Sequence, residues 1–169
     1  MQITADGTGN RHPRADAVPR MTDTATSVKT PEKIVYTARV TSTGGRAGHA
    51  TSDDGIIDLD LTAPKEIGGP GTGTNPEQLF AAGYSACFQG ALGLVGKAHG
   101  VDTKDSVVTA EIGFGPEGES YGITAELKVA IPGLELAKVQ ELADGAHQVC
   151  PYSKATRGNI PVTITAVEA

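Results

Sequence analysis

From Ile34 onward the apolar and polar positions fall into a few regular patterns. Ile34, Tyr36, Ala38 and Val40 alternate with Val35, Thr37, Arg39 and Thr41, the period of two that predicts a strand beginning near Lys33. Gly44-Gly45 reads as a turn, with 46–52 a returning strand. Asp53-Asp54-Gly55 turns the chain again into 56–61, where Ile57, Leu59 and Leu61 share a face. These three segments predict an antiparallel meander. A glycine-rich loop over 67–74 then leads into a long apolar stretch. Beyond Gly100, alternation at Val108, Ala110, Ile112 and Phe114 is followed by alternation at Tyr121, Ile123, Ala125, Leu127, Val129 and Ile131, with 116–119 as the hairpin connection. Leu136, Val139, Leu142, Ala143 and Ala146 recur at helical spacing. Pro151 disfavours helical geometry at the residue before it, so this helix is expected to stop at Cys150. A last strand follows Pro161 over 162–167. The order βββ-α-ββ-α-β lacks βαβ alternation and predicts an α+β fold with mainly antiparallel sheet.

The long apolar stretch is the most informative. Asn75 suits an N-cap, Pro76 the first helical position, and Gln78 the return arm of a capping box. Between 79 and 98 the clearly polar side chains are Tyr84, Ser85, Gln89 and Lys97, so the helix is expected to be covered on nearly all sides. Gly83, Gly90, Gly93 and Gly96 each cost about 1 kcal/mol against Ala inside a helix. Close approach of another backbone, from a sheet or a second subunit, is the expected offset. Phe80 and Cys87 fall on nearly one face, with Tyr84 one turn along it. On pattern alone that stripe serves equally well as core or as site.

Composition narrows the function. The 169 residues suffice for one domain with a modest core. A formal net charge of −6 argues against a nucleic-acid partner. No apolar run is read as approaching the ~18–20 residues of a membrane span, and no secretory leader pattern is seen, so a cytoplasmic protein is expected. Residues 1–32 contain no Leu, Phe, Tyr or Trp and are expected to form a disordered extension, with 33–169 the folded domain and Met21 a second possible start. The glycine-rich loop lacks the Lys-Ser/Thr ending of a phosphate-binding loop. Two Cys, without a CxxC pair, and four His do not support a disulfide framework or a structural zinc site. By burial habit alone, both cysteines would be small core hydrophobes.

Their contexts say more. Thr74-Asn75-Pro76-Glu77-Gln78-Leu79-Phe80-Ala81-Ala82-Gly83-Tyr84 with Ala86-Cys87-Phe88, and Val149-Cys150-Pro151-Tyr152-Ser153 with Ala155-Thr156-Arg157-Gly158-Asn159-Ile160, resemble the two signatures of the organic hydroperoxide resistance (Ohr) branch of the OsmC/Ohr superfamily. Thr43-Gly44-Gly45-Arg46 resembles that family's early Gly-Gly-Arg. The resemblance runs from about Lys33 to the C-terminus. It implies an OsmC/Ohr-like fold, with antiparallel sheets around a central buried helix in an intertwined homodimer. It also implies a thiol-dependent peroxidase that reduces organic hydroperoxides to alcohols, with Cys87 as the peroxidatic and Cys150 as the resolving cysteine. Arg46 and Glu77 fall on the family's charged pair. A dihydrolipoyl-bearing protein or another dithiol is the implied reductant, and no metal, flavin or haem is expected.

Elementary chemistry fits that implication. Attack on a peroxide needs a thiolate, and a free thiol with pKa near ~8.5 is mostly protonated at neutral pH. A guanidinium such as that of Arg46 stabilises both the thiolate and a departing alkoxide. Glu77 would disfavour the thiolate by itself, so its sensible task is to hold Arg46 in a bidentate pair. Glu77 and Cys87 are about 15 Å apart along a straight helix and roughly 80° apart around it. Either the helix bends, near Gly83 for example, or the pair serves the cysteine of a second chain. Two other readings of the residues remain. His147 could be the general base of a Cys87/His147 thioester hydrolase rather than a residue complementing the helix dipole, or the chain could be a non-catalytic thiol sensor of apolar ligands.

Overall fold

The computed structural model describes residues 30–169. The expected disordered extension and the second start at Met21 lie almost wholly outside these residues. The described chain is α+β, with mixed antiparallel and parallel sheet and a central helix. Residues 30–37 carry no helix or strand, and Ile34, Val35 and Tyr36 are exposed. The expected strand from Lys33 therefore begins later, at Val40. Its partner strand ends at Ser52, and the last bond between the two segments runs from the Asp53 amide to the Arg39 carbonyl at 3.2 Å, so the ladder stops where the chain turns away at 53–55.

Strand β1 (Val40–Thr43) pairs antiparallel with β2 (His49–Ser52), which pairs antiparallel with β3 (Asp58–Asp60). This is the predicted meander with shorter strands. Arg46 and Ala47, expected to open the second strand, lie instead in a single 3-10 turn over Gly45–Ala47. Gly44 and Gly45 have φ of 71° and 57°, a left-handed path that side chains with a Cβ rarely follow. His49 bridges the carboxylates of Asp58 and Asp60 on this sheet.

Helix α1 (Pro76–Ala98) starts as its cap residues predict: Asn75 Oδ1 accepts from the Gln78 amide at 2.9 Å. The expected return arm differs, because Gln78 Oε1 accepts from the Thr74 hydroxyl, also at 2.9 Å. Strands β4 (Val107–Glu117) and β5 (Ser120–Ala130) form the predicted hairpin, with Gly118 in its turn at φ 57°. Helix α2 (Leu136–Val149) ends before Cys150, as the proline requires. A short helix α3 (Pro151–Thr156), absent from the pattern reading, follows at once. Strand β6 (Val162–Ala166) joins β5 in parallel, so the second sheet is mixed rather than purely antiparallel.

Helix α1 lies along β4 and helix α2 along β6, and the two helices meet over the central strand β5. Tyr84, Phe88 and Leu92 from α1, Leu127 and Val129 from β5, and Val139 and Leu142 from α2 form the buried centre, joined by Cys150. Burying a side chain of this size contributes about 1.5–3 kcal/mol.

Two expectations about α1 need correction. By length and composition it is long and apolar enough to cross a bilayer, because isolated polar residues dilute the stretch without ending it. Its inward face is nevertheless packed in the protein core. Nor is it covered on nearly all sides within one chain, since Leu94 is 69% exposed and Gly90 faces open space. Of its glycines, Gly83 and Gly96 are filled by neighbours. A Cβ on Gly83 would lie 2.9 Å from Tyr152 Oη, and one on Gly96 would lie 2.5 Å from Thr103 Cγ2 and 3.0 Å from the Val101 carbonyl oxygen. At Gly83 the close neighbour is an aromatic side chain rather than a backbone.

Candidate active site

The fold brings the two cysteines together. Cys87 projects from α1 on the face shared with Phe80 and Tyr84, packed against the core but partly exposed. Cys150 is the joint between α2 and α3. Pro151 holds it at φ −62° and ψ 125°, an extended conformation that turns the chain from one helix into the next. Its side chain is fully buried. The two Sγ atoms are 3.5 Å apart and both thiols are free. A disulfide requires ~2.05 Å between sulfurs, so bond formation needs only a small approach.

Burial raises the Cys87 thiol above its ordinary pKa, the backbone amide of Tyr152 opposes this, and the neighbouring Cys150 raises it further. Within one chain the thiol therefore leans towards its protonated form. Phe80 and Tyr84 belong to the same packed cluster as the two cysteines, and the Tyr152 ring packs on both. Phe80 meets Tyr84 edge-on with centroids 5.9 Å apart, and Tyr152 lies 6.0 Å from Phe80 and 5.7 Å from Tyr84. Gly83 permits this, because its missing side chain leaves the space that the Tyr152 ring occupies.

Arg46 and Glu77 also meet, as a bidentate pair. Arg46 Nη1 donates to Glu77 Oε2 at 2.8 Å and Nη2 donates to Oε1 at 2.5 Å. The left-handed Gly44-Gly45 turn presents the arginine, and the first turn of α1 presents the glutamate. The guanidinium also lies over the Phe114 ring, 4.7 Å from its centroid, and Phe114 stacks on Tyr121 at 4.9 Å. The hydrogen bonds to Glu77 raise the arginine's pKa and those from Arg46 hold the glutamate's below the ordinary carboxylate value, so both stay charged. A cleft of about 450 Å³ opens beside Glu77, lined in part by Ile67, Ala81, Ile112 and Phe114.

The two pairs do not meet within one chain. Helix α1 runs unbroken from Pro76 to Ala98, so the bend that could have joined Glu77 to its own Cys87 is absent. Ten residues of helix leave them about 15 Å apart along the axis. Neither Arg46 nor Glu77 is among the groups that shift the Cys87 thiol.

His147 is engaged elsewhere: its Nδ1 lies 2.9 Å from Ser153 Oγ, while the polar neighbours of Cys87 are Cys150 and the Tyr152 amide. The geometry thus gives the Cys87/His147 dyad no support. Pattern reasoning missed Ser153 and Thr156, which are buried on α3 and hydrogen-bonded to the Tyr84 hydroxyl at 3.0 and 3.2 Å. The available signal was a Ser and a Thr one turn apart just after Cys-Pro. Among the described residues no group of His, Cys, Asp and Glu is arranged to hold a metal ion.

Comparison with known proteins gives concordant results. Residues 69–165 match the family model of OsmC-like proteins. The chain is 52% identical over 137 residues to an organic hydroperoxide resistance protein of Xanthomonas axonopodis pv. citri, covering 80% of this chain and 96% of that one. It is 48% identical over 132 residues to the organic hydroperoxide resistance protein OhrB of Bacillus subtilis, covering 77% and 96% respectively. The crystal structure of an organic hydroperoxide resistance protein from Elizabethkingia anophelis superposes with a TM-score of 0.75 at 47% identity, over 81% of this chain and 99% of that one.

Proposed function

The chain belongs to the OsmC/Ohr family, close to its organic hydroperoxide resistance proteins, and on that premise we propose that it is a cysteine-based peroxidase that reduces organic hydroperoxides to alcohols. The observation that carries this reading is the 3.5 Å separation of the Cys87 and Cys150 sulfurs.

The half-exposed Cys87 is the sulfur that attacks, as a thiolate. Its sulfur takes the outer peroxide oxygen, the O–O bond breaks, and the alkoxide leaves as an alcohol after gaining a proton. Cys87 is then a sulfenic acid. Buried Cys150 attacks it, forming the S–S bond as the oxygen departs in water. An external dithiol reduces the disulfide by exchange. In this family's pattern that dithiol is a dihydrolipoyl group on a protein, which is the reductant proposed here.

Arg46 and Glu77 complete the site from a second chain. Burial raises the Cys87 thiol, and a guanidinium close to it would offset this. Since the unbroken helix separates the pair from its own cysteine, an intertwined homodimer supplies Arg46 of the partner subunit, with Glu77 of the partner subunit fixing its direction. Phe80 and Tyr152, whose rings stay partly exposed, favour bulky or fatty alkyl groups over hydrogen peroxide.

The test is turnover of cumene hydroperoxide with a dithiol, set against hydrogen peroxide. Continuous, Cys87-dependent turnover that is faster with the organic substrate is expected. A single round of thiol loss would point to a sensor. Thioester hydrolysis with indifference to peroxide would point to a hydrolase.

A further inference from the structure

We infer that a buried hydrogen-bond chain through His147, Ser153, Tyr84 and Thr156 positions Cys150 for closure of the disulfide. The inference rests on the thiol cycle proposed above and assigns the residues that hold its second sulfur. None of the four needs to touch the peroxide.

Their places in the chain are the first indication. His147 is about one turn before Cys150 on α2, Ser153 about one turn after it on α3, and Tyr84 about one turn before Cys87 on α1. The links are His147 Nδ1 to Ser153 Oγ at 2.9 Å, Ser153 Oγ to Tyr84 Oη at 3.0 Å, and Tyr84 Oη to Thr156 Oγ1 at 3.2 Å. Thr156 Oγ1 then reaches the Tyr152 carbonyl at 3.0 Å and the Ser153 carbonyl at 3.3 Å. Tyr84 and Ser153 are fully buried and Thr156 nearly so. A single chain of bonds thus joins all three helices.

Proton accounting gives it a direction. Carbonyl oxygens only accept, so the Thr156 hydroxyl donates to them and must accept from Tyr84. Tyr84, having used its one proton, accepts from Ser153, and Ser153 accepts from His147. His147 therefore carries a proton on Nδ1. Burial lowers the His147 pKa, the Arg157 guanidinium lowers it further and Asp144 opposes, so the ring is neutral near pH 7 with that one N–H. Each bond depends on the next, and removal of one member leaves a buried polar atom unpaired.

The joint at Cys150 is where this matters. Helix α3 has six residues, too few to be stable alone, and it hangs from a non-helical junction. The chain ties α3 to α1 and to the last turn of α2. Tyr152 is held at both ends of its backbone, by its carbonyl on Thr156 and by its amide towards Cys87. When the Cys150 sulfur attacks the Cys87 sulfenic acid, the S–S bond forms and the S–O bond breaks. The hydroxide leaves with the Cys150 thiol proton as water. The hydroxyl chain acts before that step, by keeping the attacking sulfur in range. Without it the sulfenic acid survives long enough to meet a second hydroperoxide and become sulfinic acid.

The experiment uses the full chain and its Tyr84→Phe, Thr156→Val and Thr156→Ser variants. Each is mixed with one equivalent of cumene hydroperoxide, quenched by thiol alkylation at short times and weighed by mass spectrometry. Tyr84→Phe and Thr156→Val are expected to oxidise Cys87 at the wild-type rate but to close the disulfide about tenfold to a hundredfold more slowly, with sulfinic acid accumulating. Thr156→Ser keeps the hydroxyl and restores closure. Nitrogen-15 NMR of the reduced wild-type chain should place the His147 proton on Nδ1. Wild-type closure in Tyr84→Phe and Thr156→Val, equal slowing of both steps, or an Nε2–H tautomer overturns the inference. The tautomer is read on the wild-type chain and decides even if a variant misfolds. A wild-type chain in which hydroperoxide leaves Cys87 unoxidised overturns the peroxidase reading itself, a separately visible result.

Discussion

Cys87 is a buried-side thiol whose own chain makes it a weaker acid, through burial first and the Cys150 neighbour after the opposing Tyr152 amide. A peroxidase needs the opposite, and under the proposed cycle the Arg46–Glu77 pair of a second chain supplies it. The sign of the pH effect follows. A raised thiol pKa gives less thiolate at neutral pH, and a nearby cation lowers that pKa and restores it. Replacing Arg46 with Met is therefore expected to move the rise of the peroxidase rate to higher pH, and to lower the rate at pH 7 at least ~10-fold. Glu77→Gln, which leaves Arg46 charged but without its anionic partner, should show a smaller loss. A pH–rate profile of the first oxidation checks both, and an unshifted Arg46→Met profile removes the arginine from the site. That Arg46 would meet Glu77 and Cys87 would meet Cys150 was legible through the family resemblance of their motifs, not through their spacing. Ser153 and Thr156 were not, because a buried hydroxyl chain spans three helices and leaves no periodic signal.

Among the elements, α1 shows how far pattern reasoning reaches. Its start was readable from Asn75 and Pro76, since a cap is a local hydrogen bond, whereas its apolar length left a sheet and a second subunit equally open as its cover. Its neighbours were not readable. The Gly83 space is taken by a tyrosine from α3, an element too short to announce itself. The first strand was over-extended for a related reason: alternation reports what a strand looks like, whereas pairing depends on a distant segment that here ends at Ser52. The helix glycines provide a stability test. Gly96→Ala drives a Cβ to 2.5 Å from Thr103 Cγ2 and 3.0 Å from a backbone oxygen, and should destabilise by about 1–3 kcal/mol despite the gain in helix propensity. Gly90→Ala meets nothing within 4 Å inside the chain and should stabilise the isolated fold by up to about 1 kcal/mol. Denaturant unfolding of the two variants measures the contrast. If Gly90→Ala also weakens self-association, a second subunit covers that face of α1.

For the whole molecule, one chain holds a complete sulfur pair and a complete charged pair, in two places. The outward side of α1, including Leu94, is exposed. This division is what leads the proposed function to a homodimer. The chemistry itself stands on the sulfurs, which lie far apart in sequence and 3.5 Å apart in space. Mass spectrometry of the reduced protein after one equivalent of an organic hydroperoxide tests this most directly. The account predicts a chain lighter by two hydrogens, with a Cys87–Cys150 crosslink inside a single chain and one equivalent of alcohol released. A chain that keeps both thiols while the hydroperoxide stays intact would contradict it.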